Sequence, residues 1–176
     1  MKWRFAGVFL VAFAALLTVW WAIDFARFYE AAVLAAARVV SPIVNGWWLD
    51  YGRPGSAAEA VFRSGQRELK MLLQLPALSM GLVPFIALVM ATPGIGVKRA
   101  AITALAGSLL YWLIDVIVVL VYPLIMDHPN MFKDTMGVFS GLVAFVVAPL
   151  ALWFVLTYPV LRPLWQLTPS TEPKRA

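Results

Sequence analysis

Four long apolar runs constrain this chain more than any other feature. They extend from about Phe5 to Ile23, Met71 to Ala91, Ala100 to Met126 and Met136 to Leu161. Apolar stretches of about 18 residues or more mark helices that cross a bilayer. Composition points the same way. Of 176 residues, 62% are hydrophobic and 13% are charged, whereas a soluble domain carries about 25% charged residues. Too little polar surface remains to coat a water-facing globule, so lipid must solvate much of the chain. The expected fold is an all-α integral membrane protein, one domain over residues 1–176. It has four transmembrane helices, an external segment over about 24–70 and a cytoplasmic tail over about 162–176.

Lys2 and Arg4 precede the first run, and Trp20-Trp21 sit where an interfacial aromatic belt belongs. A signal peptide is the rival reading, with Ala12-Phe13-Ala14 as its small-x-small cleavage site. The apolar stretch outruns the usual signal core of about 7–15 residues, which favours an uncleaved anchor.

In the segment that follows, Ala31 to Val40 favours helix, and Pro42 is expected to end it. Trp47, Trp48 and Tyr51 read as headgroup anchors, and Gly52-Arg53-Pro54-Gly55 as a turn. Two pictures compete beyond that turn. Ser56-Ala57-Ala58-Glu59 has the form of a capping box, which predicts a short helix through about Arg63. Ala60-Val61-Phe62 and Leu69-Lys70-Met71-Leu72 around Ser64-Gly65-Gln66 suit a hairpin instead. Periodicity does not choose between them.

Prolines and small residues shape the remaining spans. Pro76 and Pro84 predict a bent second span whose freed carbonyls need neighbouring partners. Thr92-Pro93-Gly94-Ile95-Gly96 ends it, and Lys98-Arg99 follow. The third span carries a small-xxx-small row, Ala100, Ala104 and Ser108. The fourth opens on a GxxxG, Gly137 to Gly141, and Pro149 predicts a kink within it. Rows of small residues let helices approach closely. The tail after Arg162 is rich in Pro and Thr and is expected to be disordered.

Basic residues set the orientation. Lys2, Arg4, Lys98, Arg99, Arg162, Lys174 and Arg175 fall in very short segments beside spans. Those of the 24–70 segment are spread out and matched by acids. Positive-inside bias is read in short loops, which gives N-in and C-in. Arg27 and Lys70, each beside a span, argue the other way. The formal charge of +5 is accounted for by topology and anionic headgroups rather than by nucleic acid.

Asp115 is the sharpest candidate for chemistry, because it falls near the centre of the third span. A charge there costs at least ~2.5 kcal/mol. It is either a proton or ligand site, or a carboxyl that fixes helix packing through a tyrosine or threonine of another helix. His128, the only histidine, lies in Asp127-His128-Pro129-Asn130, and reads as an ordinary loop residue for want of partners. Asp24, Arg27 and Glu30 share one helical face, either solvated or a docking surface. Pro84, Pro149, Gly137 and Gly141 are the candidate packing positions. Gly94-Ile95-Gly96 lacks the third glycine and the preceding strand of a dinucleotide loop. The chain has no cysteine, which removes disulfides and thiolate chemistry. No nucleophile–base pair, zinc motif or phosphate loop is visible in the sequence. That argues against an enzyme and against a resident cofactor or metal.

Leu82-Val83-Pro84-Phe85-Ile86-Ala87-Leu88 runs into Ala91-Thr92-Pro93-Gly94, then Lys98-Arg99 and a long apolar helix. With Ala148-Pro149-Leu150-Ala151-Leu152-Trp153 near the end, this pattern resembles the exosortase H-associated membrane proteins, small bacterial proteins linked with a protein-sorting transpeptidase system. The likeness covers about half the chain, loosely. Where the family pattern suggests Asn-Pro before the second span, this chain has Gln74-Leu75-Pro76. The resemblance implies a non-catalytic companion in the bacterial inner membrane, since exosortases themselves use a cysteine nucleophile. The expected function is therefore an accessory subunit with a membrane-protein partner or a homo-oligomeric state. The rivals are a small proton-linked or solute transporter using Asp115 in an oligomer, and a lipid-acting enzyme using Asp127, His128 and Asp50.

Overall fold

A computed structural model of the chain describes residues 2–51, 60–70, 79–126, 142 and 146–165. It is mostly helical, with one small sheet. In chain order the elements are α1 (Lys2–Ala22), α2 (Phe25–Val44), β1 (Trp48–Asp50), β2 (Val61–Ser64), β3 (Arg67–Lys70), α3 (Leu82–Ala91), α4 (Val97–Met126) and α5 (Ala148–Trp165). The expectation of an all-α chain is corrected by the sheet. Among the described residues, α1 and α4 are long and apolar enough to cross a membrane.

Helices α1, α3, α4 and α5 pack side by side, with α3 between α1 and α4. Near one end, Phe5 of α1 lies 6.4 Å from Trp153 of α5 between ring centroids. Trp153 Nε1 donates to Thr92 Oγ1 (3.0 Å), and the Thr92 hydroxyl donates to the Leu88 carbonyl. Thr92 follows the last residue of α3, and Gly94 at φ 79° completes the turn into α4. A left-handed φ there is cheap only for glycine. This turn was legible from Pro93-Gly94.

The second span differs from its expected form. A turn at Met80–Gly81 precedes α3, so the helix begins afresh at Leu82. Residues 71–78, with Pro76, lie outside the described residues. Pro84 occupies the first turn of α3, where an amide has no intrahelical acceptor, so the proline costs no hydrogen bond and no kink arises. Pro149 is the second residue of the α-helical part of α5. Val146 and Val147 just before it are π-helical, a winding that accommodates a missing amide. The GxxxG residues Gly137 and Gly141 lie outside the described residues.

Among the described residues, a close helix approach falls at Gly107. A Cβ on Gly107 would collide with the Phe85 ring of α3 and reach Leu156 of α5 at 3.0 Å. Gly107 is where α3, α4 and α5 converge. The row Ala100, Ala104, Ser108 is only half-buried beside it, and the buried row is Thr103, Gly107, Tyr111. Both rows have small residues at four-residue spacing, and only packing distinguishes them.

Opposite the Thr92 end, α2 and the sheet form a cap. Helix α2 buries Tyr29, Val33, Ala37 and Ser41, a four-residue spacing that defines one apolar face. Pro42 lies inside α2 and does not end it. The Ser41 hydroxyl donates to the Trp47 carbonyl (2.8 Å), and the Asn45 amide nitrogen donates to the Leu120 carbonyl of α4 (2.7 Å). These bonds hold the last turn despite the amide that Pro42 lacks. Leu120 lies one turn before Pro123, which cannot donate back into α4.

The hairpin reading of the external segment holds, and the helix through Arg63 does not. Strands β2 and β3 are antiparallel with Ser64 opposite Arg67. Gly65 at φ 61° is the first of two loop residues, a position where a two-residue hairpin of the II′ kind needs glycine. Strand β1 adds to β2 with Leu49 opposite Phe62. Leu49 and Phe62 are buried, and Phe62 stacks on Tyr122 of α4 at 6.2 Å. The proposed capping box, residues 56–59, lies outside the described residues.

Candidate functional site

Asp115 is fully buried on α4, against α2. The Tyr29 hydroxyl donates to Asp115 Oδ2 at 2.6 Å. Asp115 Oδ1 has no hydrogen-bond partner. Tyr111, one turn earlier on α4, is also fully buried, and its ring and hydroxyl lie so close to Gly81 that no Cβ would fit there. Among the described residues no ion pair reaches Asp115.

The crossing of two helices makes this meeting. From Tyr29 to Asn45 the chain covers about 24 Å of helix, while their contacts on α4, Asp115 and Leu120, are about 7.5 Å apart. Helix α2 therefore crosses α4 steeply and is fastened near both of its ends. Tyr29 belongs to an aromatic row, 6.4 Å from Phe25, which is 4.4 Å from Trp20. The Trp20 indole N–H is buried without an acceptor. Sequence reasoning left the partner open between a tyrosine and a threonine of another helix; it is Tyr29. The signal was the spacing of Tyr29, Val33 and Ala37 on α2, which puts Tyr29 at the head of its buried face.

The other candidates are not drawn into this site. Asp24 lies between α1 and α2 at φ 50° and forms an exposed ion pair with Arg27 at 3.1 Å. Glu30 is half-buried, and burial pushes its carboxyl above the usual carboxylate range. Arg38 stands over the Tyr51 ring at 5.8 Å. On the outer face of the sheet Arg63 bridges Asp50 (3.3 Å) and Glu68 (3.0 Å). Pro84 lies in the first turn of α3, and Pro149 is the second residue of the α-helical part of α5. His128, Gly137 and Gly141 lie outside the described residues.

Chemically, the site offers a carboxyl oriented by one phenol and closed to solvent. Among the described residues no group of three His, Cys, Asp or Glu side chains is placed to hold a metal. A lone carboxyl with a neutral hydroxyl partner can hold a hydrogen bond or a proton, and it fixes the crossing of α2 over α4. No family model matches the chain, and no curated protein or solved structure matches it.

Proposed function

We propose that this chain is a four-span protein of the bacterial inner membrane that acts as a non-catalytic accessory subunit, N- and C-termini inside. The observation that carries the membrane reading is the polarity of α4. Its exposed side is a stripe of Ile102, Leu105, Leu109, Leu113, Ile117 and Leu124, about 33 Å long against a hydrocarbon core of about 30 Å. Its buried side carries Thr103, Tyr111 and Asp115. A surface helix in water has the reverse arrangement. Leaving such side chains in water forfeits about 2 kcal/mol each, a sum comparable to the roughly 5–15 kcal/mol that keeps a whole domain folded.

Charge supports the orientation. Arg4, Lys98, Arg99 and Arg162 flank the end of the bundle where Thr92 meets Trp153. Among the described residues every acid except Asp115 lies in or beside the cap, where Asp24, Glu30, Asp50 and Glu68 offset Arg27, Arg38, Arg63, Arg67 and Lys70. Short basic segments on one side are the mark of the cytoplasmic face. The contacts of α1 with α3 and of Phe5 with Trp153 favour a retained anchor over a cleaved signal.

The accessory role rests on the resemblance to exosortase H-associated proteins and on a site built to hold helices together. Co-purification of the tagged protein from its native membrane in mild detergent tests it. A stoichiometric membrane partner, a sorting enzyme of the exosortase kind, is expected. A stable monomer with an activity of its own overturns the reading.

A further inference from the structure

We propose that Asp115 is an intramembrane proton-binding site, closed by Tyr29 and the α2 cap. The inference begins with an unmatched atom. Asp115 is fully buried, Tyr29 occupies Oδ2, and Oδ1 has no partner. As a carboxylate, the group would place a full charge in a site where no described residue supplies a counter-ion. Its only compensation would be one bond from a neutral phenol. Isolated buried charges of this kind are eliminated by neutralisation.

A proton on Oδ1 resolves both problems. It comes from a hydronium ion of the aqueous phase: one hydronium O–H bond breaks as one forms on Oδ1, a water molecule is left, and the charge on the carboxyl disappears. Oδ2 becomes the carbonyl oxygen and still accepts from Tyr29. Oδ1 becomes a neutral donor, and a backbone carbonyl one turn back is the kind of acceptor that short polar side chains in helices use. The titratable groups known to face the carboxyl are Tyr29 from α2 and Tyr111 from α4 itself. Both are phenols, and neither supplies positive charge.

The cap decides when this proton exchanges. Asp115 has no solvent exposure, and Tyr29 lies on the helix that covers it. Exchange with water therefore requires the Tyr29 end of α2 to lift from α4. Loss of the proton would leave a charge beneath the cap and weaken its seating, so proton occupancy and α2 docking are linked. The inference does not depend on whether a partner co-purifies.

Infrared difference spectroscopy of the full chain in lipid vesicles at neutral pH tests it. Subtracting the Asp115→Asn spectrum from the wild type should leave a carboxylic-acid C=O stretch, which shifts slowly after transfer to D2O. Tyr29→Phe removes the bond to that carbonyl. The band should rise in frequency, and its deuterium exchange should be roughly tenfold faster, the factor given by one lost hydrogen bond of ordinary strength. Wild-type protein carrying 13C-labelled aspartate reports the same acid carbonyl without a substitution, should either variant misfold. A carboxylate band alone in wild type overturns the proposal, as does a carboxylate band that responds to sodium. Exchange as fast in wild type as in Tyr29→Phe overturns the role of the cap.

Discussion

Tyr29 and Asp115 are 86 positions apart in sequence and share a hydrogen bond of 2.6 Å. Removing the phenol oxygen leaves Oδ2 of a buried carboxyl without its donor, so Tyr29→Phe should destabilise the protein by about 1–3 kcal/mol. Asp115→Asn keeps an oxygen for Tyr29 and should cost less, leaving assembly intact. Thermal unfolding in detergent, followed by circular dichroism, orders the two variants. A second pair of substitutions separates packing from propensity. Gly107→Ala must displace the Phe85 ring and should cost about 1–3 kcal/mol as overpacking. Gly7→Ala meets nothing within 4 Å and should be neutral or stabilising by up to about 1 kcal/mol; equal losses in both would contradict the packing described. At this scale the sequence marked Asp115, because a carboxyl in an apolar run violates the pattern around it. It could not mark Gly107, because a glycine in a helix looks the same whether it faces lipid or a phenylalanine.

Elements were legible where a local rule acts alone. The hydrophobic runs predicted α1 and α4 within a few residues, and Pro93-Gly94 marked the turn between α3 and α4. The cap was less legible because its parts are fixed by tertiary contacts. Pro42 argues for a helix end, and only the bonds of Ser41 and Asn45 to distant carbonyls show why α2 runs on to Val44. Three-residue β1 is too short for a period to show, and its Trp48 reads as an anchor when β2 is not yet known to lie beside it. Asn45 is the joint between these pieces. Its amide nitrogen donates to the Leu120 carbonyl, its Oδ1 accepts from the Trp47 amide, and the Ser41 hydroxyl lies 2.9 Å from that oxygen. Asn45→Ala removes all of these bonds and should cost about 2–3 kcal/mol. Hydrogen exchange should then speed up at Trp48–Asp50 while the centre of α4 keeps its protection. Uniform loss across both would mean that cap and bundle unfold as one unit.

For the whole molecule the deciding quantity is which surface faces which solvent. On the proposed membrane reading, the aliphatic stripe of α4 faces lipid while Tyr111 and Asp115 face the protein interior. With lipid there, the exposed leucines cost nothing and the buried polar groups must satisfy one another, which places Tyr29 on α2 under the same constraint as Asp115. The cap lies at the far end from Arg4, Lys98, Arg99 and Arg162, so the proposed orientation places it outside. The chain has no cysteine, so single-cysteine variants test this topology without background. In intact cells or right-side-out vesicles, a membrane-impermeant maleimide should label Glu68→Cys in the hairpin. Val97→Cys, beside Lys98, should label only after the membrane is opened. Leu109→Cys and Leu113→Cys should resist the reagent in both conditions and react once the protein is unfolded in detergent. Labelling at position 97 from outside would invert the orientation. Rapid labelling at 109 and 113 in sealed vesicles would place the α4 stripe in water, and the membrane reading would fall with it.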